Sequence, residues 1–186
     1  MQPGATEGQY LTEKSCGLAK AHHAGFTLIE LLVALAVLVI MATVAVPGFQ
    51  RMMARNEVAA EVMRIRTALA VARNTAVTRR TTISVCPRPT PSSTSCDLTD
   101  WSHPIVVVLG QAPSGDLTDT RLLKVLAGSA GPDVSFNRAY PVRFQANGWS
   151  RGHNGTFTIC ARNGNSASVV ISNMGKTRTT HHADEC

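Results

Sequence analysis

Two cations near the end of the chain could bind the phosphate backbone of a nucleic acid. Lys176 and Arg178 are two residues apart and follow Gly175, which comes after Asn173-Met174 in a pattern typical of a hairpin turn. Residues two apart in a strand point to the same face, so both charges are predicted to project together. Clustered cations bind phosphates with release of counterions. The alternative is the exposed side of an edge strand, where lysine discourages aggregation.

No constellation of residues in the sequence points to catalysis. The acids are scattered through turn sequences, and neither a Gly-x-Ser-x-Gly motif nor a glycine-rich phosphate loop is present. His103 and His153 have no evident nucleophile beside them. His181-His182 with Asp184 fits an exposed, tag-like tail better than a metal site. We therefore expect a protein that is not an enzyme and that holds no cofactor and no metal.

A carboxylate lies inside the most hydrophobic stretch of the chain. Residues 31–46 are sixteen positions of which only Thr43 is polar. With residues 26–29 in front, the stretch is long enough to cross a bilayer core, which takes about 20 residues. Glu30 interrupts it, and an unpaired charge at mid-bilayer costs roughly 2.5–3.5 kcal/mol. Glu30 is therefore expected to have a partner.

The residues around Glu30 carry a family resemblance. Gly25-Phe26-Thr27-Leu28-Ile29-Glu30, followed by an apolar helix, resembles the processing site of type IV prepilins and pseudopilins at every position. The resemblance implies that a prepilin peptidase/methyltransferase cleaves after Gly25 and N-methylates Phe26. It also implies that Glu30 neutralises the terminal amine of a neighbouring subunit during assembly with other pilins. The alternative is an ordinary signal anchor that happens to contain an acid.

The same resemblance sets the expected topology. Residues 1–25 are the expected leader, which is removed, so Cys16 and His22-His23 drop out of any functional site. The positive-inside rule does not favour a cytoplasmic N-terminus, because Arg51 and Arg55 just beyond the apolar run match the two lysines of the leader. The resemblance nevertheless implies a single pass of the inner membrane with a periplasmic head, followed by assembly into an extracellular pilus or pseudopilus.

Four cysteines remain after the leader, an even number in a head that would enter the oxidising periplasm. A local-loop argument pairs Cys86 with Cys96, which closes a segment rich in proline and serine, and Cys160 with Cys186, which ties the carboxyl end to the sheet. In the chain-entropy model each disulfide contributes roughly 3 kcal/mol. Other pairings stay open. Zinc binding is disfavoured because the sequence has no Cys-x-x-Cys spacing.

Residues 48–80 are predicted to continue the transmembrane and filament-core helix of residues 26–47 as an amphipathic half. Pro47-Gly48 at the junction favours a kink rather than an end of the helix. Beyond it, one apolar stripe recurs at helical spacing and is the expected packing face for the head. Its members are Val58, Val62, Ile65, Leu69, Ala72 and Ala76.

The positive charge is concentrated on this amphipathic half. Residues 51–80 carry seven arginines against Glu57 and Glu61, whereas residues 81–186 carry nine Lys or Arg against seven Asp or Glu, a difference of +2. One row of arginines recurs every seven residues beside the apolar stripe. The row consists of Arg66, Arg73 and Arg80. A solvated edge or a subunit contact is favoured for it over a nucleic-acid track.

Residues 81–186 are predicted to form a β-rich C-terminal head. Short β-branched runs are separated by turn signals such as Asn147-Gly148. The expected strands are 81–85, 105–109, 122–126, 134–136, 142–144, 156–160, 168–172 and 176–180. The predicted fold class is α+β, with a long N-terminal transmembrane and filament helix packed against a mostly antiparallel β-sheet head, as in type IV pilins.

The motifs of the last third of the chain indicate a particular group among the pilins. They are Val142-Arg143-Phe144, Asn147-Gly148, Gly155-Thr156-Phe157-Thr158-Ile159-Cys160, Ser168-Val169-Val170-Ile171-Ser172 and Gly175-Lys176-Thr177-Arg178. Together they resemble the GspH/FimT group of minor pilins and pseudopilins. FimT-like members bind DNA in natural transformation through a Gly-Arg-x-Arg motif. In this chain Lys176 takes the place of the first arginine of that motif. Lysine keeps the charge but lacks the two-pronged fork of arginine.

The resemblance implies non-specific binding of double-stranded DNA by basic residues of the head. The expected residues are Gly175, Lys176, Arg178, Arg143, Arg151 and Arg162. His181 and His182 are expected neighbours if the Cys160 bridge holds the tail, and Trp149 could stack on a base. The alternative is a purely structural tip or priming subunit of a type IV pilus or a type II secretion pseudopilus, which the small positive charge of the head favours.

Overall fold

The structure of the protein is a computed structural model that describes residues 26–161, 164–183 and 186 of the 186-residue chain, with the side chains at 182 and 183 left aside. The expected leader with Gly25, and also Arg162, therefore lie outside the described residues. The chain divides into two compact units, Met1–Ala42 and Thr43–Cys186, which are described separately.

Helix α1 runs over Leu28–Arg79. Thr27 caps its start, because the Thr27 hydroxyl oxygen accepts a hydrogen bond of 3.3 Å from the Glu30 amide. The helix does not end at Pro47, and the kink expected there stays a prediction. At the other end Arg80 has a φ of 50°. The Thr81 amide then binds the Ala76 carbonyl at 3.1 Å, which closes the helix with a Schellman motif.

The part of α1 in the first unit is exposed along its length and apolar apart from Glu30. By length and composition α1 could cross a membrane. The part of α1 in the second unit is different, because one face of it is buried. All six residues of the predicted stripe are among its buried side chains, together with Ala68 and the charged Glu61. The predicted packing face of the helix is therefore confirmed.

Within the described residues the head has eight strands, one for each predicted strand, in two antiparallel sheets. The strands are β1 Ile83–Pro87, β2 Ile105–Leu109, β3 Arg121–Leu126, β4 Asp133–Phe136, β5 Val142–Phe144, β6 Gly155–Cys160, β7 Asn165–Ile171 and β8 Thr177–Ala183. The first sheet has the order β3-β2-β1-β5 and the second has the order β4-β6-β7-β8. Some ends differ from the prediction: β1 lies two residues later than expected and β7 begins three residues earlier.

One hydrophobic core joins the buried face of α1 to both sheets. At its centre the ring of Trp101 makes edge contacts with Phe136 and Phe157, with centroid distances of 5.5 and 4.7 Å. Such aromatic pairs stabilise a core beyond the area they bury. The α+β architecture predicted from the sequence, a long helix packed on antiparallel sheets, is confirmed.

A smaller cluster covers the outer face of the first sheet. It contains Cys86, Val106, Val108, Ala112 and Leu117. The disulfide Cys86–Cys96 attaches this covering segment to β1. As a result the central strands of the first sheet are buried on both faces: β1 is buried at every position and β2 at every position but the last, whereas the edge strand β3 is largely exposed. In the second sheet β6, and β7 from Ala167 onward, alternate between buried and more exposed positions, as strands with one solvated face do.

Candidate functional site

The Gly175 segment forms the turn between β7 and β8. Gly175 has a φ of +70°, a conformation that favours glycine. The turn is closed by a hydrogen bond of 2.9 Å from the Ser172 amide to the Lys176 carbonyl. Lys176 therefore belongs to the turn rather than to the strand that was predicted to begin with it, since β8 begins at Thr177. The side chains of Lys176 and Arg178 are both exposed.

A second turn, at Asn147-Gly148 after β5, packs directly against the first. Gly148 has a φ of +77°, and the Ser150 amide donates a hydrogen bond of 2.9 Å to the Asn173 carbonyl. A Cβ atom on Gly175 would lie 2.2 Å from the Gly148 carbonyl oxygen. We call residues 147–150 and 172–176 the paired turns. Their backbones are too close for a side chain at position 175.

Arg73 of α1 lies between the paired turns. Its Nε donates a hydrogen bond of 3.2 Å to the Gly148 carbonyl, and its Nη2 donates one of 3.4 Å to the Met174 carbonyl. The sequence interpretation of the arginine row was therefore wrong for this residue, because Arg73 is half-buried and bound to the head. Arg66 and Arg80 of the row are exposed, as a solvated edge requires. The seven-residue spacing shows that Arg66, Arg73 and Arg80 share one flank of the helix, but it does not show which carbonyls Arg73 binds.

Arg151 follows the first of the paired turns and is exposed. Its guanidinium carbon lies 4.8 Å from the centroid of the Trp149 ring, a cation–π contact that restrains both side chains. Because the paired turns touch, the loop that carries Arg151 is held beside the turn that carries Lys176. The structure thus brings three of the expected residues, Arg151, Lys176 and Gly175, onto adjoining turns.

Arg143, also expected in this site, is placed in the first sheet on β5. Its Nε and Nη2 donate hydrogen bonds of 3.0 and 2.5 Å to the Gln111 carbonyl. Burial lowers the pKa of the Arg143 side chain from its ordinary value, because the charged form loses water. The guanidinium of Arg143 therefore binds the segment that follows β2. Arg162 lies outside the described residues, and the exposed His181 is in β8 opposite Ala167.

His153 closes the loop that contains the first of the paired turns. Its Nδ1 lies 2.9 Å from the Pro141 carbonyl, and its ring contacts the edge of Tyr140 at 5.1 Å between centroids. Burial is the main cause that lowers the pKa of His153; the Pro141 hydrogen bond raises it and the charge of Arg143 lowers it further. His153 therefore acts as a neutral, half-buried support of this loop.

The second disulfide joins Cys160, at the end of β6, to Cys186. The chain that follows the edge strand β8 is thereby tied back to the sheet, in the pairing that the local-loop argument selects. Among the residues that are described, no group of three or more His, Cys, Asp or Glu side chains is arranged to hold a metal ion. At the other end of the chain, Phe26 is 85% exposed and Glu30 lies exposed in the first turn of α1.

The fold and the N-terminal motif define a pilin-like protein, and comparisons with known families identify which group it falls in. Residues 20–46 match the prokaryotic N-terminal methylation motif, and residues 61–175 match the family described as type II transport protein GspH. The second match covers more than half of the chain. The chain therefore belongs to the GspH family of minor pilins and pseudopilins, anchored by its N-terminal helix.

Solved structures with the same fold include the type IV minor pilin FimU of Pseudomonas aeruginosa strain PAO1. One crystal form is 23% identical with a TM-score of 0.53 and matches 68% of this chain and 90% of FimU. A second form is 24% identical with a TM-score of 0.48 and matches 66% of this chain and 90% of FimU. The first likeness supports the type IV pilin fold. A search of curated proteins found no match.

Proposed function

We propose that this minor pilin binds double-stranded DNA without sequence preference, as a step in DNA uptake during natural transformation. One observation carries the proposal: the exposed cations Lys176 and Arg151 lie on adjoining turns, with Arg178 following on the edge strand. Within the described part of the chain no carboxylate pairs with any of these three side chains. Their charge is therefore available to a phosphate backbone.

The chemistry of these cations predicts how binding should behave. Contacts to phosphate carry no sequence information, so no sequence preference is expected. Each phosphate that is neutralised makes the logarithm of the binding constant fall with the logarithm of salt by a slope of about 0.9. A site with so few cations should bind weakly, in the micromolar range or weaker, and lose affinity as salt rises. Lys176 supports this role as a point charge, although it lacks the fork of arginine.

We also propose that the chain is processed and assembled as the methylation motif implies. In this proposal residues 1–25 are removed by cleavage after Gly25, Phe26 is N-methylated, and Glu30 neutralises the terminal amine of a neighbouring subunit. Residues 26–47 are then the membrane and filament-core segment and residues 81–186 the head, which faces the periplasm before assembly. The match to the methylation motif supports this proposal.

The test is DNA binding by the full chain, purified in detergent micelles with its disulfides formed, and titrated with a labelled DNA duplex at low and moderate salt. The double variant Lys176→Gln/Arg178→Gln is expected to lose most of the affinity and to lower the salt slope by about 1.8, the share of two phosphate contacts. Arg121→Gln/Lys124→Gln is the matched control, because it removes the same charge from exposed positions of β3.

The control variant is expected to bind like the wild type. Equal losses in both double variants would show that only the net charge of the head matters. Absence of binding by the folded wild type at low salt would reject the role in DNA uptake.

A second candidate function is that of a purely structural subunit of a pilus or pseudopilus. It is favoured by the matched family's description as a type II transport protein and by the head charge of only +2. A subunit of this kind would show no DNA binding in the titration. Deleting the protein would impair filament assembly or secretion, and the Lys176→Gln/Arg178→Gln variant would restore that activity fully.

A further inference from the structure

We infer that Arg73 is a positioning residue of the proposed DNA site, which holds the paired turns together so that their cations face DNA as one surface. This inference rests on the proposed function, since it assigns a role in that same site. Arg73 lies on α1 and binds one carbonyl on each turn, those of Gly148 and Met174.

The two glycines of the paired turns leave room for this guanidinium. A Cβ atom on Gly148 would lie 3.3 Å from Arg73 Nε, and so would a Cβ atom on Gly175. Arg73 is thus in contact with the backbone of both turns at the point where they meet. A glycine in the Gly175-Lys176-Thr177-Arg178 motif is required here for three reasons: its positive φ, its contact with the Gly148 carbonyl, and its contact with Arg73.

The two carbonyl partners of Arg73 make it possible to separate a positioning role of this residue from an effect of its charge alone. A planar guanidinium can donate to two carbonyls on separate turns at once, whereas the ammonium of lysine is a point charge on a flexible stem. Replacement of Arg73 by lysine therefore keeps the charge but loses the bridge. Turns that are held in place before binding need not be ordered at the moment of binding, which is how a residue without a ligand contact raises affinity.

The experiment compares Arg73→Lys and Arg73→Gln with wild type and with Arg66→Gln in the full chain in detergent. Arg66 is the matched control because it is an exposed arginine of the same helix and the same row. Binding of a short labelled DNA duplex is measured over a range of salt. Both Arg73 variants are expected to bind about tenfold more weakly with an unchanged salt slope, and Arg66→Gln is expected to bind like the wild type.

Amide hydrogen exchange provides a readout that does not depend on DNA. In both Arg73 variants the amides of the paired turns are expected to exchange faster, while those of β1 keep their protection. In Arg66→Gln neither region should change. If the wild type binds no DNA, the proposed function fails, and the exchange data still decide whether Arg73 holds the turns.

Three results would overturn the inference. Wild-type affinity in Arg73→Lys, or a salt slope lowered by about 0.9 in Arg73→Gln beyond the effect of Arg66→Gln, would make Arg73 a direct phosphate contact. Unchanged exchange in the paired turns of both variants would show that Arg73 does not hold them.

Discussion

Two arginines on α1 bind carbonyl groups of the head in contrasting ways. Arg64 is 12% exposed and pairs with Glu61, which is 3% exposed. It also donates to the carbonyls of Trp101 at 2.6 Å, His103 at 3.1 Å and Ala127 at 3.2 Å. Arg73 donates to two carbonyls, and within the part of the chain that the structure describes no carboxylate pairs with it. Arg64 is a neutralised structural anchor, whereas Arg73 leaves its charge beside an exposed turn.

The two arginines also bind different parts of the head. Arg64 binds the segments that enter β2 and leave β3, in the sheet whose central strands are buried on both faces. Arg73 binds one turn that follows β5 of the first sheet and one turn that precedes β8, the edge strand of the second sheet. The comparison teaches that the two arginines stabilise different parts of the head: Arg64 holds segments next to the buried strand β2, whereas Arg73 holds two surface turns beside exposed cations.

The largest expected effect comes from removing the buried arginine. Arg64→Met leaves Glu61 buried without its counter-ion and three carbonyls without a donor, which should lower the free energy of unfolding by about 3–5 kcal/mol. Arg73→Met should cost about 1 kcal/mol, because its hydrogen bonds are partly exposed and it has no buried acid to strand. Urea unfolding of the full chain in detergent, followed by fluorescence of the buried Trp101, measures both values.

A double variant serves as the control for this prediction. Glu61→Gln/Arg64→Met removes both charges, so it should recover part of the loss seen in Arg64→Met alone. Equal losses in Arg64→Met and Arg73→Met would break the distinction between an anchor and a site residue.

A smaller effect is expected at the contact between the paired turns. Gly175→Ala places a side chain where φ is +70° and where the Gly148 oxygen is only 2.2 Å away. We expect a loss of about 2–5 kcal/mol, from the left-handed conformation together with overpacking against backbone. Gly152→Ala is the matched control, since its φ is +75° but nothing lies within 4 Å of its Cβ position. It should cost about 1–2 kcal/mol, as measured by the same unfolding titration.

The difference between these two alanine variants isolates the contact. If Gly152→Ala and Gly175→Ala unfold at the same urea concentration, the two turns are not pressed together in solution, and Arg73 has nothing to hold.

Much of the fold could be predicted because it depends on local patterns. The apolar stripe from Val58 to Ala76 follows helical spacing, and the strand-forming runs are separated by Pro, Gly and Asn, so eight strands were found with only their ends shifted. The disulfide Cys86–Cys96 encloses a short segment, which made its pairing the simplest choice.

The site was less predictable because its contacts are not local. The spacing of Lys176 and Arg178 shows that both can face one way, but nothing in the sequence indicates that the Gly148 turn packs on Gly175. Arg73 is far from both in sequence, and its seven-residue row gave the wrong environment. Arg143 was expected beside DNA on charge and resemblance, and that role stays a prediction; the sequence did not indicate that its guanidinium binds the Gln111 carbonyl. The partner of a cation depends on tertiary packing, which the spacing of charges does not encode.

The smallest expected effect is a pH dependence of stability that comes from His153 and is confined to the loop it supports and to the paired turns. Burial lowers the pKa of His153 below its ordinary value of 6.5. The folded state then binds this proton less readily than the unfolded state, so the contribution of His153 to stability is complete above pH 6.5 and is lost as the pH falls towards the lowered pKa. Subtracting the unfolding free energy of His153→Gln from that of the wild type at each pH isolates this group from the other histidines.

The sign of that difference decides the prediction. The stability of the wild type relative to His153→Gln should decline as the pH drops below 6.5. Over the same range the protection of the paired turns, relative to the intrinsic exchange rate at each pH, should fall while that of β1 and β2 is unaffected. A relative stability that rises on acidification would mean that the folded loop binds protonated His153 more tightly, against the burial that lowers its pKa. A loss of protection shared by β1 and β2 would mean that the paired turns and the buried centre of the first sheet respond as one unit, and the distinction between the segments held by Arg64 and by Arg73 would not hold.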